Sequence, residues 1–192
     1  MTKKLLYQLD NDLRCSLQGF FSQRDCDAFD HEVGKGKVLL DSDGREVVRF
    51  EPPSTIIVCR GYRWDGCSPK LNVLDLFWIG TPDGCIIGSE RPRDRKDEPT
   101  DIPISQERIT HIASAVHDVL GYCKYDNAMP ALFRAPPKPQ RDLWFTDGRR
   151  NRDRLFLELL KLKKHRLRWV YYTFVCLLGP LYDLVSGVES TS

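Results

Sequence analysis

The sequence predicts an α+β fold: a small N-terminal antiparallel sheet followed by a helical half. Three observations carry this. Two runs rich in Val and Leu, "KVLL" and "EVVRF", flank Asp43-Gly44, a pair that favours a hairpin turn. Further on, Ile109, Ile112, Ala113, Val116 and Leu120 fall at i, i+3, i+4, i+7 and i+11, one apolar stripe of a helix. Asp153, Phe156, Leu157 and Leu160 then fall at i, i+3, i+4 and i+7 in a second helical block. Strands gathered first and helices second argue for α+β over an alternating arrangement.

The elements are expected in the following order. "LYQLDNDLRCSLQGFF" is open between a strand pair and a short helix. Pro52-Pro53 ends the second hairpin strand, and "STIIVCRGYRWDG" reads as a third, β-branched and buried. Ser68-Pro69 and Pro82-Asp83-Gly84 mark loops, and "CIIGS" suits one more short strand. Residues 89–103, "SERPRDRKDEPTDIP", are charged, hold three prolines and read as an exposed loop, either a plain connector or a lid. Ser105 can cap a helix from Gln106. The Pro-rich "RAPPKPQ" separates it from the next helix, which is expected to begin near Asn151. The uncharged run from Trp169 to Tyr182 reads as a buried core helix broken at Gly179-Pro180, or as a helix lying on a membrane surface.

The 192 residues suffice for a single domain, 1–192, with a β-rich part over 1–88, an exposed loop over 89–103 and a helical part over 104–185. With 41% hydrophobic and 29% charged residues the composition is that of a globular protein. The formal charge of +2 says little about partners, but nine basic residues between Arg149 and Arg168 face only Asp153 and Glu158. Aromatics do not interleave with these charges as base-stacking platforms would, which argues against nucleic acid. Membrane-surface contact through 161–182, where "KLKKHRLR" runs into the apolar stretch, is the other use of that charge. That stretch spans about 14 residues, short of the roughly 20 a crossing needs. Seven cysteines at wide spacing, without a C-x-x-C pair, argue against a zinc ribbon. Reduced thiols in a cytoplasm are the simplest expectation, either free or peripheral at a membrane.

The chemistry is expected around "ASAVHDVLGY", residues 113–122. His117 borders the apolar stripe, and Asp118 lies about 100° further round the helix. The two side chains therefore point to different neighbours. Asp153 heads the apolar face of the second helix, where an ionised carboxylate is costly unless paired. If the helices pack antiparallel, Asp153 meets His117, fixes its tautomer and raises its basicity. Asp118 is then left for a cation or a substrate group. In "RWDGCSPK", Asp65 and Ser68 are placed at the rim of the same pocket; Asp65 and Asp118 are candidate metal ligands, and Ser68 joins His117 and Asp153 as a candidate catalytic residue. Cys67 is a candidate nucleophile with nothing to lower its pKa. The competing reading makes His117–Asp153 a satisfied polar contact in the core. His111 and His165 read as surface residues, and His31 as part of a solvated loop.

Together "GYRWDGCSPK", "IGTPDG", "ASAVHDVLGY" and "NRDRLFLELL" resemble, in that order, a phage- and prophage-associated family, domain of unknown function thirteen-fifty-three. The likeness covers roughly residues 60–178. It carries over onto Trp64, Asp65, Gly66, Ser68 and Pro69, then His117, Asp118 and Leu120, then Arg149 or Arg150, Asp153 and Phe156. Gly121 stands where that family often has Tyr, and Asn151-Arg152 where a small residue precedes the Asp. A weaker likeness is to phospholipase A2, and it implies His117 as base, Asp118 as calcium ligand and Asp153 as orienter. The glycine-rich calcium loop and the disulfide framework of that family are not recognisable here. The resulting expectation is a hydrolase-like phage or prophage accessory protein acting on an ester or amide, with Ca2+ or another divalent metal as its implied cofactor. The alternative is a non-catalytic accessory protein that binds a host protein or small molecule, with the His–Asp pair structural.

Overall fold

A computed structural model of the chain describes residues 6–9, 11–64, 71–73, 77–79, 85–87, 101–104, 109–136, 146–162, 164–165 and 167–186. In chain order the elements are β1 (Leu6–Leu9), β2 (Leu13–Ser16), α1 (Gln23–Val33), β3 (Lys37–Leu40), β4 (Glu46–Glu51), β5 (Thr55–Val58), β6 (Arg63–Trp64), β7 (Leu71–Val73), β8 (Phe77–Ile79), β9 (Cys85–Ile87), β10 (Asp101–Ile104), α2 (Ile109–Tyr122), α3 (Asp147–Leu162) and α4 (Arg168–Ser186). The protein is α+β, with a four-stranded antiparallel sheet in its N-terminal part and three helices in its C-terminal half.

That sheet has the order β2-β5-β4-β3. The hairpin stands where Asp43-Gly44 put it: Leu39 lies opposite Val48, and Gly44 takes φ +77°, which costs glycine nothing. The turn is longer than two residues because the Asp41 carboxylate accepts from the Asp43 and Arg45 amides, both at 2.9 Å. The third expected strand is β5, which lies between β2 and β4. "LYQLDNDLRCSLQGFF" holds two strands, but they are not partners. β2 joins the four-stranded sheet, while β1 joins a second sheet of order β10-β1-β6, parallel to β10 and antiparallel to β6. β7, β8 and β9 form a third, antiparallel sheet, and β9 is the strand expected at "CIIGS".

Four expectations are corrected. Helix α1 was not anticipated, since only Cys26, Phe29 and Val33 are buried in an otherwise polar run. Ser22 caps it by accepting from the Asp25 amide, and exposed His31 lies in its last turn, not in a loop. The exposed loop over 89–103 gives up its last residues to β10, whose backbone pairs with β1; residues 89–100 lie outside the described residues, as does the cap at Ser105. α3 begins at Asp147, a full turn before Asn151. α4 continues through Gly179-Pro180. Pro180 has no N–H to donate to the Cys176 carbonyl, but one missing bond does not end the helix. No helix among the described residues is long and apolar enough to cross a membrane.

The core forms where the sheet, α1 and the C-terminal helices meet. Phe50 of β4 packs edge-on against Phe29 of α1, with centroids 6.0 Å apart. Leu120 of α2, Phe156 and Leu160 of α3, and Tyr171 of α4 are buried in the same cluster. Hydrogen bonds tie the halves directly, among them that of buried Trp64, which donates from Nε1 to the Ser114 hydroxyl at 3.0 Å. The turn before β5 is held from α1. Ser54, fully buried at φ +38°, donates its amide to Asp30 Oδ1 at 2.6 Å and its hydroxyl to Asp30 Oδ2 at 3.0 Å. Asp30→Ala strips the Ser54 amide of its acceptor. It is expected to cost about 1–3 kcal/mol, read as a lowered urea midpoint at unchanged slope.

The segment after α2 acts as a platform. Glu32 of α1 accepts from the Ala131 amide at 2.7 Å and from Arg134 at 2.8 Å. From the other side, Asn151 of α3 donates to the Leu132 carbonyl at 2.9 Å, and Arg152 donates to the Phe133 carbonyl. These contacts fix the start of α3, and α3 carries the acidic half of the candidate site.

Candidate functional site

α2 packs against α3, and this brings His117 to Asp153. His117 Nε2 lies 2.9 Å from Asp153 Oδ1. The ring also leans on Phe156, one turn along α3, with centroids 5.4 Å apart. The second oxygen, Asp153 Oδ2, faces Arg149 Nε at 3.6 Å along the same helix. Of the two adjacent arginines it is therefore Arg149 that lies at Asp153; Arg150 is exposed, 3.9 Å from Asp147. The basic run is thereby divided, with Arg149 and Arg152 turned inward.

Asp118 departs from its expected orientation. Its Oδ1 comes to 3.5 Å from His117 Nδ1, so neighbours on one helix share the imidazole after all. Each ring nitrogen faces a carboxylate. The two differ in setting: the Asp153 side chain is 7% exposed, His117 19% and Asp118 31%. The centre thus runs from a buried, arginine-backed carboxylate through the ring to a carboxylate near solvent.

Burial by itself pulls the His117 pKa down. Hydrogen bonds to Asp118 and Asp153, and their charges, outweigh this and push it up to about 9. For Asp153, burial favours the neutral acid, yet the bond to His117 and the charges of His117, Arg149 and Arg152 leave its pKa below the ordinary 3.8. The imidazolium–carboxylate pair is therefore the resting state at neutral pH. The stability that His117 contributes is complete below its ordinary 6.5 and is lost as pH rises through about 9. The contribution of Asp153 is present above its ordinary 3.8 and is lost as pH falls through its lower folded value. Stability from this centre is expected to be greatest between those two ordinary values and to fall toward alkaline pH. Thermal melts of the wild type and His117→Gln from acid pH to above about 9 check this, since the variant lacks the alkaline limb.

α4 adds two residues that the sequence gave no reason to place here. Burial pushes the Cys176 thiol up to about 11, with the nearby Asp153 carboxylate adding to it, and Tyr172 up to about 12, with Cys176 adding to it. Cys176 is thus a neutral thiol beside Asp153 and no thiolate nucleophile. It falls within an apolar run, and only the packing of α4 on α3 reveals its neighbour. His165, expected at the surface, is half-buried: it packs edge-on against Tyr171 and accepts from the Leu167 amide at 3.2 Å.

Of the five candidate site residues, His117, Asp153 and Asp118 come together. Asp65 and Ser68 lie outside the described residues, as does Cys67. Among the described residues no group of three or more His, Cys, Asp and Glu is arranged to hold a metal ion. Asp118 supplies one carboxylate, whereas calcium takes six to eight oxygen ligands. Asp65, the other candidate ligand, lies outside the described residues, so Asp118 is the one candidate cation ligand placed among the described residues. The described cysteines Cys15, Cys26, Cys59, Cys123 and Cys176 are free thiols. No protein-family model, no curated protein and no solved structure matches the chain.

Proposed function

We propose that the protein is a hydrolase in which His117 and Asp153 activate water for attack on an ester or amide. The observation that supports this is the 2.9 Å contact between His117 Nε2 and a buried carboxylate backed by Arg149. In this reading Nε2 orients the ring, and Nδ1, beside the more exposed Asp118, takes the proton. In that role the neutral ring accepts the proton of water as the oxygen attacks the carbonyl carbon, and Asp153 stabilises the imidazolium that forms. The proton then passes to the leaving group. Because the ring is held protonated up to about pH 9, turnover rises with pH toward that value. The motif order supports a phage or prophage accessory role, and the free thiols suit a reducing compartment such as the cytoplasm.

The same charges support a second reading. An imidazolium between two carboxylates is also a lock that joins α2 to α3. Hydrolysis of p-nitrophenyl esters, measured from neutral to alkaline pH with chelator and with added Ca2+, separates the two. His117→Ala is expected to lower turnover by about a hundredfold or more while the circular dichroism spectrum stays folded. Turnover unchanged in a variant of lowered melting temperature leaves only the lock. Stimulation by Ca2+ that Asp118→Asn abolishes brings a cation to the site, with Asp65 as the ligand to test next.

A further inference from the structure

We propose that the corner between α3 and α4 docks on an anionic membrane surface. Leu162 is 62% exposed, Trp169 55%, Val170 36% and Leu177 54%. Single exposed apolar residues mean little, but these are grouped. Trp169, Thr173 and Leu177 repeat every four residues along one exposed side of α4, while Tyr171 and Val175 are turned into the core. Leu162 belongs to the same corner, because its neighbour Lys161 places Nζ 5.3 Å from the centre of the Trp169 ring.

Charge selects the occupant. Between Glu158 and Trp169 the sequence holds five basic residues and no further carboxylate. Glu158 pairs with Lys161 at 2.8 Å, which leaves a clear positive excess, and Lys164 is exposed in the turn between the helices. A second copy of the chain would set this cluster against itself, with like charges opposed. Nucleic acid would meet the cations but leave Leu162, Val170 and Leu177 in water. An anionic bilayer meets both needs: phosphates for the lysines, acyl chains for the aliphatic residues, and an interfacial level for the amphipathic Trp169 ring. This docking does not depend on His117, which lies in α2.

The test is sedimentation of the full chain with vesicles of equimolar phosphatidylglycerol and phosphatidylcholine, beside vesicles of phosphatidylcholine alone. Binding is expected to the first and not the second, and to weaken with salt. Lys161→Ala and Lys164→Ala each weaken it about fivefold. Trp169→Ser with Leu162→Ser removes it, with the fold checked by circular dichroism, and His117→Ala leaves it intact whether or not the hydrolase reading holds. No binding to either vesicle overturns the proposal. So does equal binding to both, or self-association without vesicle binding that Trp169→Ser abolishes.

Discussion

Asp153→Ala is expected to cost about 3–5 kcal/mol of folding stability, as the loss of one partner from a buried ion pair does. The reason lies in what is left behind. Asp153 is 5% exposed and sits between His117 and Arg149; Arg149 is also 5% exposed. Its removal takes from buried Arg149 the carboxylate that faces its Nε, and from His117 the closer of its two acceptors. Asp153→Asn keeps the shape and can keep one hydrogen bond, but not the charge, so it is expected to fold better than the alanine variant. In both, the His117 pKa falls from about 9 toward its ordinary 6.5, because only Asp118 still favours the charged ring. Urea denaturation reads the first effect and the pH titration of the ring protons by NMR the second. A loss under about 1 kcal/mol would put the pair among exposed ion pairs and remove the basis for an orienting role.

Gly148→Ala should be the second most damaging substitution, against the usual trend. Within a solvent-facing helix, replacing Gly by Ala gains about 1 kcal/mol. Here a Cβ on residue 148 would lie 2.0 Å from the Arg134 carbonyl oxygen and 2.8 Å from its carbon, both backbone atoms. No side chain can swing away, so α3 or the platform at residues 133–134 must shift. A loss of about 3 kcal/mol is expected, at the upper end of what overpacking costs. The consequence reaches the site, because the first turn of α3 carries Arg149 and the second carries Asp153. Displacing it loosens the Arg152 bond to the Phe133 carbonyl and opens the His117–Asp153 contact. A melting curve together with the His117 titration records both effects. An alanine variant at least as stable as the wild type would show that the close approach is absent in solution.

Gly148 also explains a boundary. With little helix propensity in "TDGRRN", the sequence places the start of α3 near Asn151, where the apolar period becomes visible. The chain instead begins the helix at Asp147: Gly148, without a Cβ, allows the tight approach to Arg134, and the side chains of Asn151 and Arg152 tie the next turn to the platform. α1 escaped notice for a related reason: three buried positions in eleven residues give a weak stripe, and the Ser22 cap has meaning only once the sheet is there to cover Phe29. The break expected at Gly179-Pro180 rested on local cost alone, and α4 absorbs it.

The hairpin, the α2 stripe and the placing of His117 and Asp153 on the apolar sides of their helices were legible in the sequence itself. The first follows from the Asp43-Gly44 turn, the others from a period of 3.6 residues, which states which side chains share a face. Only the tertiary structure decided how far apart the faces come to rest. It chose Arg149 over Arg150, drew Asp118 back to the ring, and set Cys176 beside Asp153. It also split one basic run into buried arginines and an exposed corner. The physical reason is common to all four. Helical phase assigns a direction to a residue, but burial, partner and pKa depend on distances between elements far apart in the chain.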